Sequence, residues 1–171
     1  MEAEKWLITP HSAARRLIVM WALILAFSDD KEAFTATFSG LVVSLDATGS
    51  APIVTRVFSF ALPLSGADPG MEIPFFVSGF VLSQEGANGH LLFSVNDQSL
   101  VVDFPKNSDN DFVQQFNYKV GSASELRISV FLLADRDSKS GAAVNLNVLA
   151  IDTDTAKHQR EPGQAGTSGI D

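Results

Sequence analysis

LRISVFLLADRDSKSGAAVNLNVLAIDT, residues Leu126–Thr153, is the stretch that decides the fold. In its first arm Leu126, Ile128, Val130 and Leu132 alternate with Arg127, Ser129, Phe131 and Leu133. In its last arm Val144, Leu146, Val148 and Ala150 alternate with Asn145, Asn147, Leu149 and Ile151. A strand sends successive side chains to opposite faces, so a period of two marks a sheet with one buried face. Between the arms, Asp135-Arg-Asp-Ser-Lys-Ser-Gly141 is polar and ends in a glycine, the composition of a loop. The stretch reads as two strands around a loop, with the even-numbered side chains lining the core. A loop of this length either closes a hairpin or carries the chain to a second sheet, and the sequence leaves both open. On the odd face Asn145 and Asn147 read either as solvated amides or as a polar strip on which a ligand lies.

Working outward, the same pattern repeats. Phe34–Leu45 reads as a strand with a bulge at Gly40, and Asp46–Ser50 as a turn. Ile53–Leu62 is a strand, ended by the Pro- and Gly-rich run Pro63–Gly70. Ile73–Leu82 follows, then a loop over Ser83–Gly89. Leu91–Val95 and Ser99–Phe104 flank Asn96-Asp-Gln98 as a tight hairpin. Pro105–Asp111 is a polar loop, and Phe112–Val120 alternates again. Many short strands with turn residues between them, and no amphipathic helix, predict an all-β antiparallel sandwich or jelly roll over residues 31–156.

The two ends differ from this body. Arg15-Arg16 precede the apolar run Leu17–Phe27, which Ser28-Asp29-Asp30 closes. A basic flank, a short apolar run and small residues at the exit, here Ala26 and Ser28, describe a secretory signal. The run is shorter than the roughly 20 residues of a transmembrane helix. The competing reading is a buried first strand or helix, which Glu2, Glu4 and the long region before the run favour. Residues 1–28 are therefore expected to be a signal peptide or a buried apolar segment, and the protein to be secreted or at a cell surface. Residues 157–171 lack apolar periodicity and read as a disordered tail.

Composition narrows the function. An apolar share of 46% against 19% charged residues belongs to a folded chain. Thirteen Phe against one Tyr and two Trp point to aromatics used as core, since Tyr and Trp carry the polar tips that suit interfaces. A net charge of −8 speaks against nucleic-acid binding, which needs a basic patch. With no cysteine there is no disulfide, thiolate chemistry or cysteine-held zinc.

Chemistry-bearing residues are few. Of the three histidines only His90 lies in the body, with Asp97 or Asp103 within reach for a Ser-His-Asp arrangement, but no Gly-x-Ser-x-Gly accompanies it. The bland reading is a loop histidine beside Gly89. Paired-carboxylate hydrolysis leaves no linear signature, so a glycoside-active enzyme stands as a third reading. Asp135 and Asp137, two apart before Gly141, resemble the opening of a calcium loop, although Lys139 takes the place of the third ligand. They read as a loose oxygen cage for calcium or as a solvated acidic loop.

The order Ile-Pro-Phe-Phe-Val-Ser-Gly-Phe-Val (73–81), Leu91–Val95, Leu126–Leu133 and Asn-Val-Leu-Ala-Ile-Asp-Thr-Asp (147–154) resembles jelly-roll carbohydrate-binding modules of the galactose-binding-like type, through strand pattern over residues 33–156. That resemblance implies a structural calcium and sugar binding on an aromatic platform, which falls to Tyr118, the only Trp or Tyr of the body. The leading expectation is a non-catalytic, exported binding module for a glycan or surface, assisted by calcium. The alternative is a homo-oligomer: a self-associating subunit of a surface layer, appendage or capsid.

Overall fold

The structure, a computed structural model, describes residues 7–8, 22–29, 32–137 and 141–154. Among these every regular element is a strand: β1 (Leu7–Ile8), β2 (Ala22–Phe27), β3 (Phe34–Leu45), β4 (Ile53–Ser65), β5 (Glu72–Ser83), β6 (Ala87–Val95), β7 (Gln98–Phe104), β8 (Asp109–Lys119), β9 (Glu125–Arg136) and β10 (Val144–Asp152). They form two antiparallel five-stranded sheets, β1-β4-β9-β6-β7 and β2-β3-β10-β5-β8. From β4 onward each strand lies in the sheet opposite its predecessor, apart from the β6–β7 hairpin. This is jelly-roll connectivity. No helix of the described residues is long and apolar enough to cross a membrane.

β9 and β10 are separated into different sheets, so the polar loop between them is a crossover and not a hairpin. Each lies in the middle of its sheet, and their even-numbered faces meet. Leu126, Ile128, Val130, Leu132, Ala134, Leu146 and Val148 are all 0% exposed. The phenylalanines fill the remaining gap between the sheets. Phe38 meets Phe58 edge-on at 5.1 Å, Phe75 meets Phe93 at 5.7 Å, Phe93 meets Phe116 at 5.6 Å, and Phe104 meets Phe112 at 4.7 Å. Rings at these separations and tilts add to simple burial.

Two irregularities shift faces. Gly40, at φ +96, carries the expected bulge, after which burial passes from Phe34, Ala36 and Phe38 to Leu41, Val43 and Leu45. On β10 the register slips between Val148 and Ala150 against both neighbouring strands. Leu149 is turned outward and Ile151, not Ala150, enters the core. The alternation read from the sequence therefore holds to Val148 and inverts beyond it. Pro63 does not end β4 either. The strand runs on to Ser65, because only β9 pairs with it at Pro63, and an edge position asks for no second ladder bond. β6 starts at Ala87 and β8 at Asp109, so parts of both expected loops are strand.

Residues 22–27, the later part of the apolar run, form β2 along the edge of β3, with Leu23, Leu25 and Phe27 packed against the core. A cut before Asp29 would remove this strand. The earlier residues of the run, and the tail from residue 157, lie outside the described residues.

Gly79 sits where β5 meets the slip in β10. A Cβ there falls inside contact distance of the Asn147 carbonyl oxygen and 2.7 Å from Cζ of Phe112. Gly79→Ala is expected to destabilise the fold by about 1–3 kcal/mol, read as a lowered urea midpoint. Val130→Asp places an unpaired charge at a site with no exposure and is expected to abolish cooperative unfolding. A well-folded Val130→Asp protein would mean that the register of β9 is off by one.

Candidate functional site

Strand register turns isolated outward-facing residues into rows. On the outer face of the first sheet, Val57 faces Phe131, Phe131 faces Leu92, and Leu92 faces Val101. These four make one apolar stripe across β4, β9, β6 and β7. Val57 is 65% and Val101 64% exposed. Aliphatic side chains standing this far into water in line with one another form a continuous patch and not scattered surface residues. On one side of the stripe lies a row of four serines, Ser59, Ser129, Ser94 and Ser99. The first two share a hydrogen bond of 2.8 Å. On the other side lies the row Thr55, Leu133, His90 and Asp103, followed by Ile53, Asp135 and Asn88.

The charged corner of this face is built around His90. Its ring lies between two carboxylates, Nδ1 at 2.7 Å from Asp103 and Nε2 at 2.9 Å from Asp135. Asn88 donates to the second oxygen of Asp135 at 3.0 Å. Partial burial disfavours the imidazolium, but the hydrogen bonds to Asp103 and Asp135 and their negative charge outweigh it, so His90 is held above its ordinary 6.5. Asp103 is one of the two partners the sequence pointed to, whereas Asp135 comes from a strand 45 residues away and gave no local signal. His90 is on strand β6, not in a loop. With both ring nitrogens engaged by carboxylates, neither is turned to a hydroxyl nucleophile as a general base requires.

Asp135 belongs to β9 and faces His90, while Asp137 is exposed one residue past the strand. Arg136 between them points inward. Its guanidinium donates to the carbonyls of Asp46 at 2.7 Å, Ala142 at 3.2 Å and Gly49. A cation of the chain itself thus gathers the oxygens of the β3–β4 and β9–β10 loops. Among the described residues no three His, Cys, Asp or Glu side chains are grouped to hold a metal ion. Lys139 lies outside them.

The other sequence-derived ligand residues lie apart from one another. Tyr118, read as an aromatic platform, is 1% exposed, and its hydroxyl accepts a 2.7 Å hydrogen bond from Asn96. It is a core residue, because its odd neighbours face out and β8 presents its even face here to the β6–β7 turn. Asn145 and Asn147 do face outward on the second sheet, opposite Leu82 and Phe80 respectively, on the far side of the sandwich from His90. At one end of the sandwich Asn96, Asp97, Ser122, Ala123, Ser124, Glu125 and Arg127 line an open hollow of about 540 Å³. The Asn96 amide is already spent there on Tyr118, Glu125 and Arg127.

No family model matches the sequence, and no curated protein matches it. Among solved structures the chain is similar to the enzymatically active domain of tailspike protein 4 of bacteriophage CBA120, at 15% identity and a TM-score of 0.36. The match covers 78% of this chain and 19% of that one, so the chain spans about a fifth of its length. So distant a likeness does not bear on function.

The imidazole of His90 is expected to titrate above 6.5 in an NMR pH series, and Asp103→Asn or Asp135→Asn to bring it down. Because the folded value is raised, the stability it contributes is complete below the unfolded value of about 6.5 and is lost as pH rises through the folded one. Calcium bound through Asp135 would have to displace His90 and Asn88. It would then raise the melting temperature with concentration and shift the His90 titration together. A melting temperature identical in chelator and in millimolar calcium removes the ion from consideration.

Proposed function

We propose that this chain is a non-catalytic jelly-roll subunit that associates with copies of itself through the outer face of the first sheet. The observation that carries this reading is the in-register stripe Val57–Phe131–Leu92–Val101. Its chemistry is aliphatic and Phe, which suits a flat apolar partner and lacks the hydrogen-bonding tips that sugar platforms use. The face has the dimensions of a protein contact. Four strands about 4.8 Å apart make it about 20 Å wide, and strands of seven to thirteen residues at about 3.3 Å make it roughly 25–40 Å long. That is close to the ~800 Å² a standard interface takes from each partner. The stripe is also self-complementary. A two-fold axis along it lays the same four residues of each copy on one another.

A second, glycan-binding reading rests on Asn145 and Asn147, which lie on the outer side of the second sheet opposite Leu82 and Phe80, with the carboxamide oxygen of Asn147 buried there without a hydrogen-bond partner. Export to a cell surface rests on Arg15-Arg16 and the run Leu17–Phe27. Binding to a glycan array that Asn145→Ala and Asn147→Ala abolish is the result that would favour the glycan reading.

Val57→Glu and Val101→Glu change side chains that are mostly solvated in the single subunit, so both variants should fold with a nearly unchanged melting temperature. Light scattering on the full chain is expected to give a discrete oligomer for the wild type and a monomer for the double variant. A wild-type protein that stays monomeric at high concentration ends the self-association reading.

A further inference from the structure

We propose that the His90–Asp103–Asp135 cluster acts as a proton-operated latch on this self-association: copies join while the imidazolium bridges the two carboxylates, and they part when it loses its proton. The inference rests on the association through the first sheet's outer face and adds its control.

The cluster lies within that face, one row from the stripe. His90 is next to Leu92 on the same side of β6, and Asp103 is next to Val101 on β7. In the two-fold pairing along the stripe, the serine row of one copy covers the Thr55–Leu133–His90–Asp103 row of the other. Ser94 then stands over His90 and Ser99 over Asp103. Closing the contact takes the cluster out of water. Asp103, now 74% exposed at its side chain, loses the most solvent.

The protonated cluster suits this burial. Imidazolium carries two N–H donors, one for each carboxylate, so both ring nitrogens and both acids are partnered and the net charge is −1. The deprotonated ring has one N–H only. One carboxylate then faces a nitrogen lone pair, the net charge is −2, and no water remains to compensate. Burying an acceptor against an acceptor is costly, so dry contact favours the proton.

Among the described residues of the same copy, the rows around the ring hold no cation. β7 contributes Asp103, and β9 contributes Asp135. β6 contributes only Asn88, whose amide goes to Asp135, and β4 contributes Thr55 and Ile53, which carry no charge. The two-fold pairing that lays Phe131 on Phe131 also sets Arg127 of one copy, with its partner Glu125, over Asp135 of the other, so this ion pair faces the cluster beside the imidazolium. The serine row that covers His90 and Asp103 is neutral. The switch is a single proton per subunit, carried by His90.

The test is sedimentation velocity on the full chain at constant ionic strength, from about pH 6 to about pH 9, where histidine is the side chain that titrates. The dimer dissociation constant is expected to rise at least about tenfold across that range. His90→Gln, which keeps a polar side chain on this outer face but binds no proton, should flatten the profile. Asp103→Asn should move its midpoint to lower pH. Circular dichroism at each pH checks that the monomer stays folded. A wild type that associates equally at both ends of the range overturns the latch and leaves the stripe reading intact, as does an undiminished pH profile in His90→Gln. A wild type that is monomeric throughout overturns both, and Val57→Glu tells the cases apart by dissociating the protein at every pH.

Discussion

The fold depends on two strands facing each other. β9 is the middle strand of one sheet and β10 of the other, and their apolar faces meet across the sandwich. Each Leu, Ile or Val buried there contributes about 1.5–3 kcal/mol over leaving it in water. The aromatic pairs sit to either side of this contact and pack against it. Because β9 pairs with both β4 and β6, and β10 with both β3 and β5, every other long strand but the two outer ones is anchored directly to this pair. A slip in either strand would turn one whole core face to solvent.

The apolar faces of these two strands were the most legible part of the sequence, because alternation over eight residues is a local signal, whereas their placement in opposite sheets was left open. So was the use of Phe as core, the β6–β7 hairpin at Asn96, and the bulge at Gly40. What failed was whatever needed a partner strand to define it. The slip at Leu149 shows only when β10 is laid against β3 and β5. Pro63 looked like a stop, yet the missing N–H costs nothing where one neighbour is absent. Tyr118 was the only aromatic of its kind in the body and looked exposed for that reason, whereas its hydroxyl is satisfied by the amide of Asn96 at the rim of the core.

The outer face carries the same lesson. Val57, Leu92, Val101 and Phe131 are unremarkable one at a time, and no window of sequence holds more than two of them. Antiparallel register aligns them. His90 and Asp103 are related by the hairpin and were within reach of a sequence argument, but Asp135 was absorbed into an acidic loop with Asp137. Asp135 lies on the sheet beside His90, and Asp137 follows the end of β9.

The jelly-roll order sets a schedule for acquiring this structure. The second sheet receives its middle strand last, since β10 follows all the strands it joins. Until residues 144–152 are present, β3 and β5 have no bridge between them, and each shows an open ladder edge flanked by Phe34, Phe38, Phe75 and Val77. Edges of that kind recruit other chains. During synthesis from the N-terminus the protein must therefore pass through a stage in which its most apolar strands are complete but unjoined. Its productive yield then depends on how quickly one late segment threads between two waiting ones. Contacts this distant along the chain form slowly, so dilute, cool conditions of expression favour recovery of the native subunit over tangled intermediates.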